Sequence, residues 1–155
     1  MADVSPKKQL DGFIAKFTPE VAAATKKALA AMRKRLPGAL ELVYDNYNAL
    51  AIGFGPTERT SEVIFSIAVY PRWISLFFYY GAKLKDPKNI LKGGGTQVRH
   101  VVLDTTARLA NPDVSALMDQ ALAQAKVPLD PKQKSRIVIK AISAKQRPRR
   151  PGAKP

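Results

Sequence analysis

The residues best suited to a chemical role in this sequence are the basic side chains near its C-terminus. Residues 127–155 hold nine Lys or Arg and one acidic residue, and so contribute +8 of the formal net charge of +14. Residues 1–37 contribute +5, whereas residues 38–126 are almost neutral at +1. The positive potential is therefore local, and local potential attracts phosphates or acidic partners.

The composition of this basic stretch is typical of a phosphate-binding segment. The planar guanidinium group of Arg can bind two phosphate oxygens at once, and prolines between the Arg residues favour an extended chain with outward charges. We predict non-sequence-specific contact with nucleic acid or another polyanion, because no helix-turn-helix, zinc-finger or RNA-recognition motif is present. The residues predicted for this contact are Arg136, Lys140, Lys145, Arg147, Arg149 and Arg150. The alternative is a solubilising tail without a physiological target.

A second group of residues could line a pocket for a small polar ligand. Tyr44, Asp45 and Tyr47 belong to a polar-aromatic segment between two predicted strands, although Asp and Asn also favour a plain hairpin turn. Six of the twelve aromatic residues lie from Tyr70 to Tyr80. Their strand spacing mainly indicates core packing, which leaves those near the strand ends as candidates for ligand contact. The predicted pocket residues are Tyr44, Asp45, Tyr47, Trp73, Tyr80, Lys92, Arg99 and His100.

Signals for catalysis and metal binding are weak. The segment from Lys92 to Gly95 could cradle a phosphate with its amides, but it lacks the spacing of a P-loop. Arg99 and His100 are expected on opposite faces of a strand, and no Ser and carboxylate stand at triad spacing from this only His. With no Cys and with scattered carboxylates, we predict no catalytic residue, no metal site, no cofactor and no enzyme activity.

Length and composition limit the class of protein. The 155 residues suggest one domain, and a hydrophobic fraction of 46% can form a real core. The absence of Cys excludes disulfides and thiolate chemistry. No stretch approaches the ~18 apolar residues of a membrane span, and the N-terminal residues lack the apolar core of a signal peptide. We therefore expect a cytoplasmic protein without membrane contact.

Apolar periodicity predicts the elements that must position these side chains. Ser5-Pro6 and Thr18-Pro19 begin two amphipathic helices over residues 6–17 and 19–36. Period-two alternation then indicates strands, and a helical stripe after Asn111-Pro112 indicates a third helix. The predicted strands begin near residues 40, 50, 63, 73, 98 and 137. Short connections between most of these strands favour antiparallel pairing.

These elements predict an α+β fold: an antiparallel meander sheet of five or six strands, packed by two N-terminal helices and one C-terminal helix. We predict a single domain over residues 1–143, followed by a mobile basic, Pro-rich tail over residues 144–155. Alternatively, Ser143-Ala144 could extend the last strand and order the tail along the sheet.

The order of several motifs resembles the YdhG-like family, a bacterial family of unknown function. These motifs are Leu36-Pro37-Gly38, Glu41-Leu-Val-Tyr-Asp45, the aromatic strand from Trp73, Leu84-Lys-Asp-Pro87, Leu91-Lys-Gly-Gly-Gly95 and Val98-Arg99-His100. The resemblance covers residues 10–143 and implies a frataxin-like fold. It also implies a link to iron, since some members are described as iron chaperones.

Two functions are therefore expected. The first is a non-enzymatic binding or accessory domain that contacts nucleic acid or another polyanion through its basic C-terminus. The alternative is an intracellular carrier of iron or a small ligand that uses the sheet and residues 44–48.

Overall fold

Three α-helices begin at the same type of local sequence, a polar cap followed by Pro. In the computed structural model, which describes residues 4–152, the helices are α1 (Pro6–Ala15), α2 (Pro19–Arg35) and α3 (Pro112–Gln124). The side chains of Ser5, Thr18 and Asn111 accept hydrogen bonds from backbone amides of the first turn. Such caps satisfy amides that the helix leaves unpaired, and Pro has no amide to lose at this position. No helix in this part of the chain is both long and apolar enough to cross a membrane.

Six strands form one sheet in the order β5-β4-β3-β2-β1-β6. They are β1 (Leu40–Asp45), β2 (Leu50–Gly55), β3 (Phe65–Val69), β4 (Ile74–Phe78), β5 (Arg99–Leu103) and β6 (Ile137–Ile142). The first five strands form the predicted antiparallel meander, and the α+β class is confirmed.

The prediction of a purely antiparallel sheet is wrong at β6, which pairs in parallel with β1. Residues 104–136, which include α3, carry the chain from one edge of the sheet to the other. A crossover of this length can return a strand in the same direction as its new neighbour, whereas a tight turn cannot. The sheet is therefore mixed, with β6 as an open edge strand.

The helices cover one face of the sheet. Alternate strand residues such as Phe54, Phe65 and Phe78 are fully buried there, and the rings of Phe65 and Phe78 meet edge to face at 5.6 Å. A smaller cluster on the opposite face joins Leu40, Leu42 and Val63 with the partly buried side chains of Tyr44, Tyr79 and Val138. Phe77 also lies on this opposite face, where it stacks on His100. Adjacent strand residues thus serve different surfaces.

Gly38 makes the turn between α2 and β1. Its φ of 84° lies in the left-handed region, and a Cβ atom there would lie 1.8 Å from the carbonyl oxygen of Asp130. The Gly38 carbonyl also accepts a hydrogen bond of 2.9 Å from the Gln133 side chain. This contact places the end of the crossover against the turn just before β6. The turn requires glycine because of its positive φ and because the Asp130 carbonyl leaves no space for a Cβ atom.

We predict that Gly38→Ala destabilises the fold. Left-handed backbone costs a non-glycine residue about 1–2 kcal/mol, and the clash with backbone atoms of Asp130 adds to this cost. Urea unfolding should show the loss. Gly94→Ala is the matched control, because no atom lies within 4 Å of its Cβ position. Equal stability of the two variants would contradict the assigned role of Gly38.

Candidate functional site

The basic segment after β6 lies against the first hairpin. The amide of Ser143 donates to the carbonyl of Asp45 at 2.9 Å, and the amide of Arg147 donates to the carbonyl of Tyr47 at 2.9 Å. The side chain of Gln146 also donates to the Asp45 carbonyl at 3.1 Å. The chain thus packs against the end of β1 and the hairpin turn that follows it, although β6 itself ends at Ile142. Residues 1–3 of the predicted domain and 153–155 of the predicted tail lie outside the described residues.

Arg149 and Asp45 form a buried ion pair. Nη2 of Arg149 lies 2.9 Å from Oδ1 of Asp45, and the two side chains are 4% and 0% exposed. The same nitrogen donates to the carbonyl of Asn46 at 2.6 Å, and the guanidinium lies 5.6 Å from the centre of the Phe17 ring. Lys16 brings a second cation to within 3.6 Å of Oδ2 of Asp45.

This placement differs from the expectation that the tail presents all its charges outward. The expectation rested on the polar composition of the segment, which gives no reason to bury one particular Arg. A buried carboxylate needs a partner, and Arg149 supplies one from residues distant in sequence. The guanidinium of Arg149 is thereby engaged inside the protein rather than presented to phosphate.

Arg150 and Arg147 remain at the surface on either side of this pair. Nε of Arg150 donates to the Lys16 carbonyl at 3.1 Å, where α1 ends. A cation at this place is favourable because the last carbonyls of a helix carry partial negative charge. Arg147 is exposed and lies over the ring of Tyr47, with 5.6 Å from the guanidinium carbon to the ring centre.

Two cations of the basic run lie earlier, since Arg136 directly precedes β6 and Lys140 belongs to it. Nη2 of Arg136 lies 2.5 Å from Oε2 of Glu58, and the hydrogen bond and charge of Arg136 lower the pKa of that carboxyl. Lys140 is exposed and is the extra residue of a β-bulge, since the neighbouring residues of β6 pair with Val43 and Tyr44, which are adjacent in β1. Arg136 is therefore partly neutralised by an ion pair, whereas Lys140 has no carboxylate at salt-bridge distance among residues 4–152, although its charge also helps to lower the pKa of Glu58.

Six exposed cations of residues 132–150 have no carboxylate at salt-bridge distance within the part of the chain that the structure describes. They are Lys132, Lys134, Lys140, Lys145, Arg147 and Arg150. Our sequence-based set omitted the first two, although they belong to the same basic run after Asp130-Pro131. Conversely, it included Arg136 and Arg149, whose acidic partners lie far away in sequence.

The structure does not bring the eight predicted pocket residues into one site. Tyr44 lies on the uncovered face of β1, and its hydroxyl group pairs with that of Thr60. His100 lies on the same face of β5, with three strands between them. Four interstrand steps amount to about 19 Å, which no small ligand pocket spans with direct contacts from both side chains.

The other predicted pocket residues lie in separate places. Asp45 faces the helices inside the protein, whereas Tyr47 is 47% exposed in the hairpin turn. Trp73 is 45% exposed and stacks on Tyr70 with 4.8 Å between ring centres. Tyr80 donates from its hydroxyl to the carbonyl of Ser61. These residues therefore belong to several surfaces rather than to one cavity.

Lys92 and His100 are the two predicted residues that do meet. Their backbones exchange hydrogen bonds of 2.8 and 2.9 Å, and the His100 ring stacks on Phe77 at 4.9 Å. Burial, and then the nearby charge of Lys92, lower the pKa of His100 below its ordinary value of 6.5. Arg99 points to the other face, where its guanidinium donates to the carbonyls of Gly95 and Val98 at 2.7 and 2.8 Å. Lys92 and His100 therefore meet through their backbones, whereas the His100 ring packs on Phe77.

Among residues 4–152, no three His, Asp or Glu side chains are grouped so that they could hold a metal ion. A cavity lies between the β2–β3 connection, Tyr80 and the end of α3. Tyr80 is the one residue of this lining that the sequence analysis predicted for a pocket, because the lining comes from three segments that are distant in sequence.

We predict that Arg149→Ala lowers the free energy of unfolding by about 3–5 kcal/mol, because it leaves the buried Asp45 carboxylate without its main partner. Urea unfolding is the measurement. Arg147→Ala removes the same side chain from a neighbouring exposed position and should change stability by less than about 0.5 kcal/mol. The double variant Asp45→Asn/Arg149→Ala should recover part of the loss. A small effect of Arg149→Ala would refute the role assigned to this pair.

We also predict that His100 titrates below 6.5, which NMR can follow without ambiguity because the chain has no other His. Between the folded and unfolded pKa values the unfolded chain binds more protons, so stability should fall as the pH drops below 6.5. Lys92→Gln retains the backbone bridge but removes the charge, and should raise the pKa of His100. A pKa at or above 6.5 in the unmodified protein would contradict the burial of this ring.

Comparisons of the chain with family models, with curated proteins and with solved structures found no match. The YdhG-like family and the frataxin-like fold therefore stay predictions from the sequence. The α+β architecture with its mixed six-stranded sheet is what the structure itself establishes.

Proposed function

We propose that this chain is a non-enzymatic binding domain that holds nucleic acid by its phosphate backbone, along the β6 edge and the segment that follows it. The observation that carries the proposal is the group of six exposed cations without acidic partners, all within residues 132–150. The YdhG-like resemblance and a cytoplasmic location accompany this proposal as predictions. The alternative, an iron or small-ligand carrier, has less support because its predicted residues do not share one pocket.

The arrangement of these cations suits a regularly spaced polyanion. A strand rises about 3.3 Å per residue, so the six residues of β6 extend over roughly 20 Å. Cations stand before β6, at its bulge and after its end. Each strand of a DNA duplex carries one phosphate per about 3.4 Å of helix axis, so a duplex presents roughly six phosphates of one strand over this length. Several phosphates can therefore contact the edge at once, without any contact to bases.

The buried pair and the exposed cations have different roles in this proposal. Arg149 positions the segment through Asp45, whereas Lys145 and Arg147 carry the charge that meets phosphate. Neutralised phosphates release counterions, so affinity should fall steeply with salt. The expected binding is tolerant of sequence, because phosphate contacts carry no base information.

We predict that Lys140→Ala/Lys145→Ala/Arg147→Ala weakens binding of a fluorescently labelled DNA duplex at least about tenfold, with a salt dependence shallower by about one unit of slope per lost contact. Fluorescence anisotropy at several salt concentrations is the measurement. The variant should unfold at the same urea concentration as the unmodified chain, because none of the three residues is buried.

The control variant is Lys26→Ala/Lys27→Ala/Lys34→Ala, which removes the same charge from exposed positions of α2. Its affinity for the duplex should stay within about threefold of the unmodified chain, since long-range charge effects are screened by salt. Equal losses in both variants would show a general effect of net charge and overturn the assigned edge. Absence of duplex binding at low salt would overturn the proposed function itself.

A further inference from the structure

The cavity beside the end of α3 lies apart from the β6 edge. Its volume is about 340 Å³, and it is enclosed by the 3-10 turn Thr60–Glu62, by Tyr80 at the end of β4 and by the last turn of α3. This volume falls at the lower end of the range of about 300–1,000 Å³ that is typical of small-molecule pockets. The cavity shares no lining residue with the six cations of the proposed nucleic-acid contact.

Two hydrogen bonds hold the walls of this cavity together. The Tyr80 hydroxyl group donates to the Ser61 carbonyl, and the Gln124 side chain donates to the Tyr80 carbonyl at 3.1 Å. They link the β2–β3 connection, the end of β4 and α3, which are the three walls. The cavity is therefore formed before any ligand enters, which lowers the cost of binding.

The lining combines an apolar interior with cations at the rim. The apolar side chains are Val63, Ile64, Ala121, Ala125 and Val127. Lys83 and Lys126 are exposed at the rim, with no carboxylate at salt-bridge distance among residues 4–152. Lys126 lies two residues beyond the end of α3, where a cation offsets the partial negative charge of the helix terminus. Lys83 therefore provides the main excess charge.

Glu62 is the acidic residue of this lining, and it is already engaged. Its Oε1 accepts a hydrogen bond of 2.8 Å from the Thr57 hydroxyl group, and its Oε2 lies 3.9 Å from the guanidinium of Arg59. The carboxylate is therefore partly compensated within its own connection. With two lysines and one partly compensated carboxylate, the lining has a net positive charge.

We propose that this cavity binds a small amphipathic carboxylate, with its apolar chain against Val63, Ile64 and Ala121 and its carboxylate at Lys83 and Lys126. The apolar interior provides most of the affinity by removing the chain from water. The two lysines select an anion over a neutral compound of the same shape. This inference is independent of the proposed nucleic-acid contact.

The test is an NMR titration of the isotope-labelled full chain with octanoate. We expect saturable shifts at Val63, Ile64, Ala121 and Val127. Octanol, which has the same chain without the carboxylate, should bind about two- to fivefold more weakly for each ion pair that it lacks. Shifts that do not saturate, or that centre on other residues, would overturn the cavity as the site.

Lys83→Gln and Lys126→Gln should each weaken octanoate by about two- to fivefold and leave octanol unchanged. Both substitutions are at exposed positions, so they should not disturb folding. Equal affinities of octanoate and octanol for the unmodified chain would overturn the proposed selectivity for anions. Because duplex binding uses other residues, it can fail or succeed without affecting this result.

Discussion

The buried carboxylate of Asp45 is the constraint on which the functional surface depends. A charge taken out of water needs a partner, and Arg149 meets this need from a position 104 residues later in the chain. In doing so it helps to hold the segment from Ser143 to Arg150 against the end of β1, the turn that follows it and the end of α1. The positions of Lys145, Arg147 and Arg150 follow from that contact. One internal ion pair thus determines where several exposed cations lie.

The mixed sheet adds a second constraint, because the strand that carries the basic run lies at an edge. Among residues 4–152 no strand pairs with the outer edge of β6, and Ile142 at its end is 54% exposed. An uncovered edge invites pairing with other chains, and charged side chains and bulges discourage this. Lys140 at the bulge therefore has a structural benefit as well as a place in the proposed phosphate contact.

The two proposed sites use different physics. The β6 edge presents charges to solvent without an enclosing wall, which suits a long polyanion whose binding depends on salt. The cavity beside α3 encloses apolar surface with few polar groups, which suits a small molecule. Neither site uses His100, whose ring stacks on Phe77 and does not belong to the lining of the cavity.

Local sequence was sufficient for the parts of the fold that depend on local physics. Polar caps before Pro predicted the start of each helix, and apolar alternation predicted all six strands. Capping and alternation act between residues a few positions apart, so a single sequence is enough to recognise them. The concentration of positive charge in residues 127–155 could also be recognised from the sequence, because it needs only a count of neighbouring residues.

The tertiary structure alone decided which residues meet. It placed β6 parallel to β1, took Arg149 and Arg136 into pairs with Asp45 and Glu58, and separated Tyr44 from His100 by three strands. It also built the cavity from three segments that no motif connects. Each of these outcomes depends on contacts between residues distant in the chain, which composition and spacing do not encode. The sequence by itself determined the elements and the amount of charge, and their long-range packing determined which charges remain for a partner.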